Sequence, residues 1–256
     1  MKRIKDTNNE YHSNAAISAS GLKTIYKKSV FHFVNQEEFK RSPSMNFGSA
    51  VHSALLEPEN DEILVLPNNL NLRRKADREA KDNLIKNNKD KIIITEKESN
   101  HLNMIKQNIK SNLLAKSLLD NLTECEYSYY GTYEDVPLKV RPDGIKKDRY
   151  IIDIKTCQDA SPRAFLSAVY KYSYHLQACF YSEMLGYNDV HNQFRFIAIE
   201  NVYPFDVAVY SLSEEIINKG KEAWRNAFIN WKNYYENKLI TGYQWDNINE
   251  DGSLIL

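Results

Sequence analysis

Residues Pro137–Thr156 read PLKVRPDGIKKDRYIIDIKT, two apolar stretches separated by a short charged segment. In an extended strand, successive side chains point to opposite faces. Along Tyr150–Thr156, Ile152 and Ile154 therefore share one face, and Asp153 and Lys155 share the other. The stretch before it alternates in the same way over Pro137–Ile145. Leu138 and Val140 face inward, while Arg141 and Asp143 take the opposite face. Between them Lys146-Lys147-Asp148-Arg149 is short and polar, which suits a hairpin turn. Such a hairpin brings Asp143 and Asp153 close together.

Two ionised carboxylates a few ångströms apart repel strongly unless a cation sits between them. An oxygen-rich site of this kind suits Mg²⁺, with Mn²⁺ as a substitute. Lys155 beside the cation can orient an attacking water, assist its deprotonation and stabilise charge on a phosphate. Those are the requirements of phosphodiester hydrolysis. The competing reading is an exposed salt bridge on the solvent face of a hairpin, which is common and of little consequence. The acidic-x-Lys text alone decides nothing. It occurs at Glu38-x-Lys40, Glu79-x-Lys81, Asp153-x-Lys155 and Glu236-x-Lys238. Only Asp153-x-Lys155 lies in an apolar strand with Pro142-Asp143 on the strand before it.

Outward from this segment, the chain up to about residue 120 reads as mostly helical. Ser18 or Ser20 can cap a helix through Tyr26, and a short segment Phe31–Phe39 follows. Met45–Leu56 places Phe47, Val51, Ala54 and Leu55 at helical spacing. A short strand Ile63–Leu66 precedes a charged helix over Leu72–Lys89, and Thr95-Glu-Lys-Glu98 resembles a capping box opening a helix through Ile109. Strand-like runs then cover Glu124–Tyr133, Pro137–Ile145 and Tyr150–Thr156. One helix is predicted from Pro162 to about Leu185, with proline in its first turn. Strands Gln193–Glu200 and Phe205–Leu212 and a helix Ser213–Asn237 complete the order. Helices, β-meander, helix, hairpin and helix predict an α/β fold, a mixed sheet flanked by helices behind a helical N-terminal region.

The 256 residues carry no repeat and no Gly/Ser/Pro linker, so residues 1–256 read as one domain. Its sections are 1–120 mainly helical, 121–212 sheet and helix, and 213–256 a C-terminal helix and tail. Hydrophobic residues make up 42% and charged residues 27%, as in an ordinary globular protein. No apolar run is long enough for a membrane span and no secretory leader is evident, so a cytoplasmic setting is expected. Cys125, Cys157 and Cys179 form no CxxC pair and indicate neither a zinc knuckle nor a disulfide framework. The 34 basic residues balance the 34 acidic ones, so any nucleic-acid binding must come from local patches. Two patches qualify, Arg73, Arg74, Lys75, Arg78 and Lys81, and Lys23, Lys27 and Lys28. For each, a solvated helix face is the plainer reading. The 17 tyrosines could stack on bases, although most sit where sheet packing suits them. No GxxxxGK[ST] loop is present, so no ATP-driven motor is encoded.

Pro142-Asp143 with Asp153-x-Lys155 matches the PD-(D/E)xK nuclease pattern. ISASGLKTI near the start, FGSAVHSALLEP at Phe47–Pro58 and YSYHLQACFYSEML at Tyr172–Leu185 resemble blocks of the exodeoxyribonuclease VIII family. That family is related to phage lambda exonuclease and to RecB-type nuclease domains. The resemblance runs from about residue 11 to 210. It implies a restriction-endonuclease-like fold in which Asp143 and Asp153 bind metal and Lys155 is the catalytic lysine. His52, by itself a plausible core histidine, matches the histidine that RecB-type nucleases place beside the metals. Glu126 falls where the family often carries an additional acid, with Glu124 equally spaced and able to take its place. Gln177 and Tyr181 match the Gln-xxx-Tyr element, and Tyr174 shares their helix face. By spacing alone they are better read as a helix face packed on the sheet; on the resemblance they are, with Arg141, the expected DNA contacts. The second acid is Asp153 where many members of the superfamily have glutamate. The family's iron–sulfur relatives need four cysteines, one more than this chain has.

The implied activity is a 5′→3′ exonuclease on linear double-stranded DNA ends that leaves 3′ single strands. Such enzymes serve phage-type recombination in a bacterial host beside a single-strand annealing recombinase, and tend to form homo-oligomeric rings around DNA. An endonuclease or repair nuclease of the same fold, or a catalytically silent DNA-binding protein, would share much of the pattern.

Overall fold

The computed structural model describes residues 1–37, 43–60, 62–68, 73–243, 249, 251 and 253, with Pro43 and Ser44 described by backbone alone. The motif pair Glu38 and Lys40, the end of the Phe31–Phe39 segment and Leu72 lie outside the described residues. The chain opens with strand β1 (Lys2–Ile4), then helices α1 (Asn8–Ser13), α2 (Ala19–Lys27), α3 (Val30–Val34) and α4 (Pro43–Leu56). Strand β2 (Ile63–Leu66), helix α5 (Lys75–Asn87), strand β3 (Ile92–Thr95) and helices α6 (Glu96–Ser111) and α7 (Leu113–Asp120) follow. The central part contains β4 (Glu124–Cys125), β5 (Ser128–Tyr133), β6 (Val136–Val140), β7 (Gly144–Lys146) and β8 (Tyr150–Cys157). It ends with α8 (Pro162–Lys171), α9 (Tyr174–Leu185), α10 (Val190–Gln193), β9 (Phe194–Glu200), β10 (Val207–Tyr210) and α11 (Glu214–Asn237).

The main sheet has five strands in the order β10-β9-β8-β7-β4, antiparallel except for the parallel pair β8–β9. Strand β8 sits at its centre with both faces covered. Ile151, Ile152, Asp153 and Ile154 are each at most 1% exposed. On one face Ile151, Phe194 and Phe196 pack with residues of α2, α9 and α11, among them Leu22, Phe180 and Trp224. On the other, Ile152, Ile154, Ile197 and Ile199 meet Val51 of α4 and Ile105 of α6. The alternation that put Asp153 opposite Ile152 and Ile154 thus turns Asp153 toward α9, into the interior rather than into solvent.

Three predicted elements are corrected. The strand expected over Glu124–Tyr133 breaks at Glu126, whose φ of 54° is left-handed. The strand expected over Pro137–Ile145 breaks between Val140 and Gly144, where Pro142 has no N–H to offer a ladder. Glu126 N–H instead donates to Asp143 O at 3.0 Å. The distal halves β5 and β6 leave the main sheet and join β1 in a separate three-stranded sheet. The helix expected over Pro162–Leu185 is two helices, divided where the buried Ser173 takes a left-handed conformation. Strands β1 and β3 were not expected. β3 pairs in parallel with β2. Ser18 rather than Ser20 caps α2, and the Thr95–Glu98 capping box is present. Among the described residues, no helix is long and apolar enough to cross a membrane.

Candidate active site

Both interruptions in the strands fall at acidic residues, and both acids turn toward the same point. Across the β7–β8 ladder Gly144 faces Ile152 and Ile145 faces Ile151, which sets Asp143 beside the Asp153 end of β8. Asp143 Oδ2 accepts the Ile154 N–H at 2.5 Å. Burial alone would raise the Asp143 pKa, but the charges of His52 and Lys155 outweigh it and hold the carboxyl below its usual range.

His52 arrives from the opposite face of the sheet on α4. That helix comes close to β8: a Cβ added to Gly48 would stand 3.1 Å from Thr156 Oγ1. His52 Nδ1 lies 3.5 Å from Asp143 Oδ2 and 3.8 Å from Glu126 Oε1. Burial works against protonation of this ring, yet the two carboxylates prevail and push its pKa up to about 10. Ligand atoms of His52, Glu126 and Asp143 all lie within 4.8 Å of one another. Donors to a single cation at about 2.1 Å stand about 3–4 Å apart. One nitrogen and two carboxylates therefore fit a divalent ion with little rearrangement. Glu126 is the acid that joins this group. Glu124 is engaged elsewhere, with Arg3 Nη1 at 2.6 Å and the Tyr129 hydroxyl.

Asp153 has a different set of neighbours from the one expected of a metal ligand. Its Oδ1 accepts Gln177 Nε2 at 2.6 Å, and its Oδ2 pairs with Lys155 Nζ at 2.6 Å. Burial raises the Asp153 pKa, Lys155 opposes the rise and the Asp143 charge adds to it. Lys155 is shifted up as well, because Asp153 and Asp143 outweigh its own burial. Neighbouring carboxylates whose surroundings push them apart in this way are a common feature of reactive sites.

The expected DNA contacts are placed otherwise. Arg141 has only 10% of its side chain exposed. Its Nε stands 3.1 Å from Glu126 Oε2, its Nη1 3.8 Å from Asp6 Oδ1, and its Nη2 donates to Asp6 O at 3.0 Å. It braces Glu126 and is turned away from solvent. Tyr181 is 6% exposed and sits inside the core around α9. Gln177 is 7% exposed and holds Asp153. Tyr174 remains at the edge of the site, its ring centroid 4.7 Å from Lys155 Nζ.

In the sequence Lys23 stands out only as one member of a basic patch. Its Nζ donates to Gln177 Oε1 at 2.5 Å and lies 5.3 Å from the Tyr174 ring. The available signal was its place four residues after Ala19, on the buried side of α2. Asp6, which steadies Arg141 while accepting from the Ser128 and Tyr130 hydroxyls, carried no such signal. The other patch gives the plainer result. α5 buries none of its residues, and Lys75 there pairs with Glu79 across exposed side chains.

A family model described as a PDDEXK-like domain of unknown function (DUF3799) matches residues 18–238. Among solved structures, the chain is similar to a crystal structure of a candidate exonuclease from Eubacterium rectale at 2.19 Å. The TM-score is 0.62 with 14% identity, covering 92% of this chain and 88% of the other. At that identity the likeness establishes the fold, a restriction-endonuclease-like mixed sheet flanked by helices. The protein SSO0001 overlays with a TM-score of 0.30 and 13% identity, over 76% of this chain and 88% of the other, and carries no weight. A comparison with curated proteins finds no match.

Proposed function

The chain belongs to the PDDEXK-like family whose model spans residues 18–238, and on that premise we propose that it is a Mg²⁺-dependent exonuclease of linear duplex DNA. Family and fold together support a nuclease. The observation that carries the finer reading is the meeting of His52, Glu126 and Asp143 within 4.8 Å, directly beside the Asp153–Lys155 pair.

A divalent cation held by His52, Glu126 and Asp143 would supply positive charge and Lewis acidity at the phosphate. Mg²⁺ suits the two carboxylates, and Mn²⁺ accepts the histidine equally well. The residues themselves do the rest. Lys155 orients the attacking water and carries positive charge against the phosphoryl oxygens as negative charge builds there. Asp153 keeps Lys155 protonated and aimed. On the family likeness, Asp153 would be a further acid available to such a cation. Gln177 fixes Asp153, and the buried surroundings strengthen each of these interactions.

The finer assignments rest on the likeness to the exodeoxyribonuclease VIII family. The three resembling blocks fall on α2, α4 and α9, the helices that deliver Lys23, His52 and Gln177. On this reading residues 1–256 act as one nuclease domain digesting 5′→3′ and leaving 3′ single strands. A homo-oligomeric ring and a single-strand annealing partner belong to the same proposal. The test is digestion of linear duplex DNA, labelled at the 5′ or 3′ end, with Mg²⁺ or with EDTA, beside closed circular DNA. Early release of 5′ label from linear DNA only, abolished by EDTA, is expected. Cutting of closed circles would instead assign an endonuclease, and binding without cutting a silent DNA-binding protein.

A further inference from the structure

Lys23 enters the site from α2, which contributes none of the acids. Among the described residues no carboxylate lies within ion-pair distance of its ammonium. Asp153 is shared between Lys155 and Gln177, Glu126 is braced by Arg141, and Asp143 faces His52 and the Ile154 N–H. Lys23 has one amide oxygen, Gln177 Oε1, and one ring face, that of Tyr174. Those partners offset only part of the cost of taking an ammonium out of water. Burial, aided by the nearby charge of Lys155, accordingly pulls its pKa down to about 7.

Lys155 approaches the same two groups, at 3.5 Å from Gln177 Oε1 and 4.7 Å from the Tyr174 ring. Two ammoniums thus converge on one acceptor, an unfavourable arrangement until an anion lies between them. With a divalent cation seated on Glu126 and Asp143, Asp153 is matched by Lys155 and Asp6 by Arg141. The charge left over is the one Lys23 carries when protonated, a state that burial resists until an anion lies beside it. That charge equals in size the single negative charge of one phosphodiester.

We infer that Lys23 is a second phosphate-binding lysine, gripping a nonbridging oxygen of the phosphate presented to Lys155 and the acidic trio. The inference rests on the nuclease reading for its substrate and on the geometry alone for its anion. The rival role is a purely structural brace on the Gln177 amide.

Wild type, Lys23→Met and Lys23→Arg separate the two. DNA binding is measured over a series of salt concentrations with a short duplex and Ca²⁺, and cleavage with Mg²⁺. Loss of one phosphate contact lowers the slope of log affinity against log salt by about 0.9. Loss of one transition-state donor lowers kcat by about 100-fold. Both are expected of Lys23→Met, with recovery in Lys23→Arg and no fall in Tm, since an uncompensated buried charge has been removed. In parallel, inorganic phosphate with Mg²⁺ should raise the Tm of wild type and of Lys23→Arg more than that of Lys23→Met. If wild type ignores DNA while this phosphate effect survives, the nuclease reading fails and the anion site stands. An unchanged salt slope and an unchanged phosphate effect in Lys23→Met, whatever its Tm, overturn the inference.

Discussion

Gln177 Nε2 donates to Asp153 Oδ1 at 2.6 Å, and the same amide turns its oxygen to Lys23 and Lys155. The orientation of that amide is set by its neighbours, carboxylate on one side and ammonium groups on the other. Gln177→Ala leaves a buried carboxylate oxygen without its donor, at a cost of about 1–3 kcal/mol. Because the amide holds a group that itself holds the lysine, a 10–100-fold loss of activity is expected. Thermal melts and single-turnover cleavage check the two effects. A variant with full activity would show that Asp153 is positioned without Gln177.

The Asp153–Lys155 pair is buried, so removing one partner differs from removing both. Lys155→Met should abolish cleavage and destabilise the fold by about 3–5 kcal/mol, because Asp153 then keeps an uncompensated charge. Adding Asp153→Asn should recover most of that stability and none of the cleavage. Denaturant unfolding of the single and double variants measures the recovery. If the double variant is no more stable than Lys155→Met, the two side chains are not a coupled pair.

His52 has a pKa of about 10 beside Asp143 and Glu126, so its ring is protonated at neutral pH when no cation is bound. A divalent ion must displace that proton before the nitrogen can ligate it. Mn²⁺ affinity should therefore rise as pH is raised from 7 toward 10, and calorimetry in buffers of different ionisation enthalpy should register proton release. The same shift bears on stability. The folded value lies above the unfolded 6.5, so the protonated ring stabilises the metal-free fold fully below pH 6.5. That contribution is lost as pH rises through about 10. Lys23, whose pKa is held down at about 7 in the fold, works in the opposite direction over the same window. The test is therefore a difference: Tm in EDTA should fall more with rising pH, or rise less, in wild type than in His52→Gln, and the proton-linked gain in Mn²⁺ affinity should be absent from the variant.

Arg141 offers a test of position against contact. Its guanidinium sits between Glu126 and Asp6, so Arg141→Met should loosen Glu126 and weaken Mn²⁺ binding by about 10–100-fold. The salt slope of DNA binding should stay at the wild-type value, since no phosphate contact is lost. A slope reduced by about 0.9 would return Arg141 to the DNA-binding surface.

The parts of this site legible in sequence are those governed by strand alternation. Asp153 and Lys155 share a face of β8 because the period of a strand is two, and Asp143 follows from the hairpin register. The break at Glu126 was hidden, since a glutamate with positive φ carries no compositional mark of the kind that Gly or Asn gives. That break separates β4 from β5 and aims Glu126 at His52 instead of leaving it on a continuous strand. Ser173, where one predicted helix becomes two, is hidden for the same reason. Lys23 was obscured differently. Three lysines close together look like a solvated face, and only the packing of α2 against α9 and α11 turns one of them inward.

The contact between α9 and α11 is itself sensitive to a single methyl group. A Cβ at Gly220 of α11 would stand 2.5 Å from the His175 carbonyl oxygen and 2.7 Å from Cys179 Sγ, both on α9. Helix propensity alone favours Gly220→Ala by about 0.5–1 kcal/mol. The clash is with backbone, which no rotamer change relieves, and overpacking of this kind costs about 1–3 kcal/mol. The clash should win, lowering Tm by a few degrees. His175 and Cys179 flank Gln177 on the same helix, so pushing α9 from α11 should also shift the amide that holds Asp153. A fall in kcat is thus expected beside the fall in Tm, and Gly220→Ser should behave likewise. A Gly220→Ala protein that melts higher than wild type would mean that the two helices separate without cost, and that the close approach is not what sets the position of α9.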